Sequence, residues 1–188
     1  MTRLVNLAAE IQSILDSNSW KNCLIGGLAL QRWGAPRLTI DVDITVLTGF
    51  GKEEALVDLL LCRYTPRRPD AREFALQNRV LLIQSTDGIG IDIALGALPF
   101  ERRMIRRATT FAFLPDCLLR TCSAEDLVVT KAFAGREQDW IDLKGIIVRQ
   151  QKLNWKLIYS ELKPLCKLKD TPETLDRLRK LQMEFAGQ

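Results

Sequence analysis

The chain has 188 residues, 47% of them hydrophobic and 27% charged, which is enough apolar material for one sizeable core. It contains no histidine, so Ser-His-Asp and Cys-His catalysis, imidazole bases and His-dependent zinc or iron sites are excluded. A net charge of +4 does not by itself imply nucleic acid, and no apolar run approaches the ~20 residues of a membrane span.

Residues 4–14 carry a helical stripe of Leu4, Leu7, Ala8, Ile11 and Ile14, continued by Leu15. A short extended segment, residues 22–25, runs into Gly26-Gly27, and residues 28–33 form a short helix stopped by Gly34 and Pro36. Residues 38–47 alternate strictly and predict a strand, and residues 53–62 predict a helix. Residues 79–85 and 90–95 are strand candidates around a Thr86-Asp87-Gly88 turn, and residues 108–113 are a weaker one. Beyond these the pattern turns helical. Ser123 followed by Asp126 resembles a capping box ahead of residues 124–134, which Gly135 ends. Residues 138–151, 155–162 and 172–185 are further helices. The division expected is an α/β catalytic core over residues 1–115 and a helical annex packed on it over residues 116–188.

Five cysteines occur with no CxxC pair, so reduced, buried thiols are expected, and with them a cytoplasmic setting without a membrane or a signal peptide. Arginines cluster at residues 63–72 and 102–107, and Lys and Arg outnumber Asp and Glu from residue 144 onward. Such clusters suit either a solvated surface or an anionic partner.

The segment Thr39-Ile40-Asp41-Val42-Asp43-Ile44-Thr45-Val46 carries the most chemistry. Side chains alternate along a strand, so Ile40, Val42, Ile44 and Val46 are expected to pack, while Thr39, Asp41, Asp43 and Thr45 share the opposite face. Two carboxylates two residues apart repel unless a cation lies between them, and carboxylate oxygens suit Mg²⁺ or Mn²⁺. Asp92, between Ile91 and Ile93, is a third acid in an apolar setting. If its strand adjoins the first, three carboxylates converge in the manner of two-metal phosphoryl chemistry. Thirteen residues separate Gly27 from Asp41, room for one short helix and a return. The glycine pair then lies beside the acidic strand, where bare N–H groups at a helix start favour an anion.

These residues resemble the nucleotidyltransferase superfamily with the DNA polymerase β-like fold. Its mark is an apolar residue, Gly-Gly or Gly-Ser, a spacer, Asp-apolar-Asp-apolar and a later third acid. Here these are Ile25-Gly26-Gly27, Asp41-Val42-Asp43-Ile44 and Asp92. The wider stretch Gly26-Gly27-Leu28-Ala29 with Arg37-Leu38-Thr39-Ile40-Asp41-Val42-Asp43 looks like the AbiEii-like bacterial branch, which includes toxins of toxin–antitoxin systems. The branch's downstream helical motif is matched by Lys131, Arg136, Asp139 and Asp142, so the resemblance covers residues 22–143.

The resemblance implies an α/β (α+β) fold, a small mixed sheet flanked by helices with a C-terminal helical annex. It implies metal-dependent transfer of an NMP from an NTP to a hydroxyl of RNA, such as tRNA, or of a protein, with an antitoxin protein as a further partner. Asp41, Asp43 and Asp92 would hold the metals, Asp92 serving the acceptor. Gly26, Gly27, Arg37, Thr39 and Lys131 would bind the nucleotide, with Lys131 on the leaving phosphates. Arg136, Asp139 and Asp142 would form an ion network at a helix break, or Asp139 would cap the next helix. The alternatives are a transferase acting on an antibiotic or metabolite, and a non-catalytic module with the same fold.

Overall fold

The computed structural model describes residues 2–185. Among these, nine helices and seven strands form two compact units, one from residues 2–28 and 38–122 and one from residues 29–37 and 123–185.

The first unit is α/β. It contains α1 (Thr2–Ser17), β1 (Asn22–Leu24) and the start of α2 (Gly26–Trp33), then β2 (Asp41–Leu47), α3 (Glu53–Leu61), β3 (Thr65–Pro66) and α4 (Ala71–Asn78). It continues through β4 (Val80–Gln84), β5 (Gly90–Gly96), α5 (Pro99–Arg107), β6 (Thr109–Leu114) and β7 (Cys117–Thr121). The strands make one mixed sheet in the order β3-β4-β5-β2-β1-β7-β6. β2 runs parallel to β5 and antiparallel to β1, while β7 returns parallel to β1.

The core lies where the apolar stripe of α1 and the buried residues of α3 and α4 meet one face of this sheet. Val42, Ile44 and Val46 of β2, Ile91 and Ile93 of β5, and Leu81 and Ile83 of β4 are buried there. The alternation of β2 thus orients the acids away from the core. It begins later than its pattern suggests. Leu38 is 82% and Ile40 74% exposed, because strand pairing starts only at Asp41. Cys62 is also exposed, since α3 ends at Leu61 and the chain turns outward there.

The second unit is helical: the remainder of α2, α6 (Ala124–Ala134), α7 (Glu137–Arg149), α8 (Trp155–Lys169) and α9 (Glu173–Phe185). α6 is delimited by its caps. Ser123 Oγ accepts from the Asp126 N–H at 3.1 Å, and Gly135 takes the left-handed conformation at φ +72°. α8 continues through Pro164, where a stop had been expected after residue 162. The unit begins at Ser123, beyond the β6–β7 hairpin, and takes in residues 29–37 from the N-terminal half. Those residues dock on α7. Arg149 donates to the Gly34 carbonyl at 2.7 Å, Gln150 donates to the Trp33 carbonyl at 2.8 Å, and a Cβ on Gly145 would come within 2.9 Å of the Ala35 Cβ. No helix among the described residues is long and apolar enough to cross a membrane.

Candidate active site

β2 and β5 are neighbours in parallel register, with Asp43 opposite Asp92 and Asp41 opposite Gly90. This pairing converts two separate sequence features into one site. Carboxylate oxygens of Asp41, Asp43 and Asp92 lie within 4.8 Å of one another, and all three residues are half-buried. At about 4 Å, two unit charges repel by ~1 kcal/mol in bulk water and ~4 kcal/mol at an effective dielectric near 20. Three such pairs are a substantial standing repulsion, which a cation relieves.

The glycine pair is built against these acids. Ile25 N–H donates to the Asp43 carbonyl at 2.9 Å, continuing the β1–β2 ladder to the very start of α2. Gly26 then takes a left-handed φ of +56°, and any Cβ there would overlap the Asp43 carboxylate. A Cβ on Gly27 would overlap the Thr39 hydroxyl. Both glycines are therefore required by close approach. The Gly27 N–H donates to Asp43 Oδ2 at 3.3 Å, so the first amides of α2 face the acidic strand. Thr39 Oγ1 donates to Asp41 Oδ1 at 3.1 Å, tying the segment before β2 to the site. Thr39 is buried.

Arg67, absent from the sequence-based site, donates to Asp92. It lies just beyond β3, the two-residue strand at the sheet edge, and its own N–H donates to the Leu82 carbonyl at 3.1 Å. The arginine cluster at residues 63–72 was its signal, but no spacing rule ties residue 67 to residue 92.

Arg37 and Lys131 belong to the helical unit, and there the structure gives them other partners. Lys131 is 4% exposed, and its ammonium donates to Asp142 Oδ2 at 2.6 Å and to Asp139 Oδ1 at 3.3 Å. Arg37 grips Asp142 through Nε at 2.9 Å and Nη2 at 3.1 Å. Arg136 holds Asp139 at 2.7 Å, and Asp139 also accepts the backbone N–H of Arg136 at the start of α7. Asp139 thus belongs to an ion network and satisfies a helix terminus at once. Burial pushes the Asp142 carboxyl up, but hydrogen bonds from Arg37, Lys131 and Gln138 outweigh it and hold the group below the usual carboxylate range. The ammonium of Lys131, expected to meet the leaving phosphates, is held here by two carboxylates of its own unit.

A glycine-started helix pressed on an Asp-x-Asp strand, with a third acid on the parallel neighbour, defines a nucleotidyltransferase of the DNA polymerase β-like superfamily. Solved structures agree on the fold. An antigenic nucleotidyltransferase-like protein from Paracoccidioides brasiliensis is 15% identical with a TM-score of 0.53, over 94% of this chain and 92% of that one. The antibiotic-resistance factor ANT(2'')-Ia is 15% identical with a TM-score of 0.53, over 97% of each chain. The lincosamide antibiotic adenylyltransferase LnuA, in its lincomycin-bound structure, is 12% identical with a TM-score of 0.50, over 73% of this chain and 92% of that one. The chain belongs to the AbiEii family, described as the nucleotidyl transferase AbiEii toxin of type IV toxin–antitoxin systems, whose family model matches residues 13–184. No curated protein matches it.

Proposed function

We propose that this protein transfers a nucleoside monophosphate from an NTP to a hydroxyl of RNA or protein, with Mg²⁺ or Mn²⁺ as cofactor, and acts as the toxin of a toxin–antitoxin pair. The observation that carries the proposal is the convergence of Asp41, Asp43 and Asp92 beside the glycine-started helix. The site fits a hard divalent cation, because its donors are all carboxylate oxygens and their charges are in excess. A cation held by Asp41, Asp43 and Asp92 would supply positive charge to the phosphates and lower the pKa of the attacking hydroxyl.

The chain's own residues do the rest. Gly26 and Gly27 let Asp43 and Thr39 lie directly against the start of α2, and the helix dipole there favours the charge of a phosphate. Thr39 orients Asp41 through its hydroxyl. The acceptor oxygen attacks the α-phosphorus in line, Asp92 takes its proton, and pyrophosphate leaves. In this proposal Lys131 and Arg37 are positioning residues that hold Asp142, and through it the packing of α6, α7 and the segment before β2.

The test is incubation with each labelled NTP, total RNA and Mg²⁺ or Mn²⁺, followed by sizing of the product. Label on RNA or protein that disappears in Asp41→Asn/Asp43→Asn supports the proposal. Label on neither, or label that survives the double substitution, overturns it. Growth arrest on expression, relieved by the same substitutions, tests the toxin role.

A further inference from the structure

The acidic site carries a cation of its own. The register places Arg67, Leu82, Asp92 and Asp43 in one row across four strands: Pro66 pairs with Ile83, Leu82 with Asp92, and Asp92 with Asp43. Arg67 N–H donates to the Leu82 carbonyl at 3.1 Å, which fixes the backbone at the edge of the row. From there the side chain passes over Leu82 and its Nη2 donates to Asp92. Gly90 lies beside the guanidinium. A Cβ at that position would stand 3.2 Å from Arg67 Nη1 and 3.6 Å from the Asp41 Cβ. The guanidinium therefore lies over β5 beside two of the three acids, and the pair is only partly shielded, at 32% and 33% side-chain exposure.

We infer that Arg67 is a resident counter-ion of the triad, which competes with a divalent cation for Asp92 and leaves Asp41 and Asp43 to take an ion first. This rests on the proposed metal site and adds to it an order of occupation. Beside Arg67 three carboxylates still converge, a donor set that suits a divalent cation. The hydrogen bond from Arg67 Nη2 occupies Asp92 Oδ1, an oxygen that a divalent ion needs.

The competition is measured without turnover. Mn²⁺ is titrated into nucleotide-free wild type, Arg67→Gln, Arg68→Gln and Asp41→Asn/Asp43→Asn at equal ionic strength, by calorimetry and by loss of the free Mn²⁺ EPR signal. Removing a half-exposed competing ion pair should tighten Mn²⁺ binding by Arg67→Gln roughly threefold to tenfold. Arg68→Gln, whose guanidinium pairs with Asp70 instead, should stay within about twofold, the effect of a screened neighbouring charge. Equal or weaker binding in Arg67→Gln, or an equal gain in Arg68→Gln, overturns the competition. If wild type binds Mn²⁺ through Asp41 and Asp43 while Arg67→Gln is no tighter, the metal site stands and the inference alone fails. If neither protein binds, both fail. Binding by Arg67→Gln alone is the strongest support.

Discussion

Asp41, Asp43 and Asp92 in the α/β unit and Asp139 and Asp142 in the helical unit are one residue type used in opposite ways. The first three are half-buried and crowd one another, and Asp92 pairs with the guanidinium of Arg67. The other two are nearly inaccessible and are matched by Lys131, Arg37 and Arg136. Excess charge left open on one face of the sheet is available to a ligand. Charge that is fully paired out of water is committed to the fold, because separating it exposes a buried ion. Balance and burial, rather than residue type, distinguish a chemical site from a structural one.

Substitution in each region sharpens the contrast. Asp92→Asn should lower single-turnover transfer by ~10²–10⁴-fold, the cost of losing a positioned acid–base group, with an unchanged urea midpoint. Unaltered transfer would make Asp92 a structural acid and erase the contrast. Lys131→Met should do the converse. It removes the buried ammonium that the two carboxylates share, leaving Arg136 and Arg37 as their cations, and such a loss costs about 1–3 kcal/mol, readable as a lower urea midpoint. A midpoint within experimental error of wild type would show that the helical network is not holding its unit.

The smallest effect is in pH. The folded Asp142 carboxyl sits below its unfolded value near 3.8, so its contribution to stability is present above that value and is lost as pH falls through the folded pKa. Asp142→Asn should therefore be less stable than wild type at neutral pH, and the gap should narrow below about pH 4 in paired denaturation curves. A gap that stays constant would mean that the network's worth is packing rather than charge.

Much of the acidic site was legible in the chain because its signals are local. The alternation of Asp41 to Val46, the glycine pair, and Asp92 between two isoleucines each declare a face or a turn within a few residues. α6 was equally plain, since Ser123 and Gly135 mark both ends. The missed elements lack such marks. α4 buries only Ala71 and Ala75, too little for an apolar stripe. In α5 four arginines interrupt the period, although Phe100, Met104 and Ile105 are buried. β7 pairs with β6 in a hairpin and joins the rest of the sheet through β1, nearly a hundred residues earlier. Arg67 and Arg37 escaped for the same reason as β7: their partners are set by tertiary register, and a lysine or arginine reads alike whether it meets water, a phosphate or Asp142.

The helical unit is assembled from two stretches of chain far apart in sequence. Gly34 and Ala35 find Ile146 and Gly145 only after more than a hundred further residues have been made. During synthesis, residues 29–37 must therefore wait, their docking surface on α7 not yet in existence, while the sheet strands between them emerge. Closing so long a loop is entropically modest but slow to find, which places completion of the helical unit late in folding. A chain truncated after Cys122 would carry residues 29–37 with no helices to receive them, and a fragment starting at Ser123 would lack the segment that fills the groove along α7. Neither half can be released by a single cut, so a nascent chain completes this unit only when nearly all of it has left the ribosome.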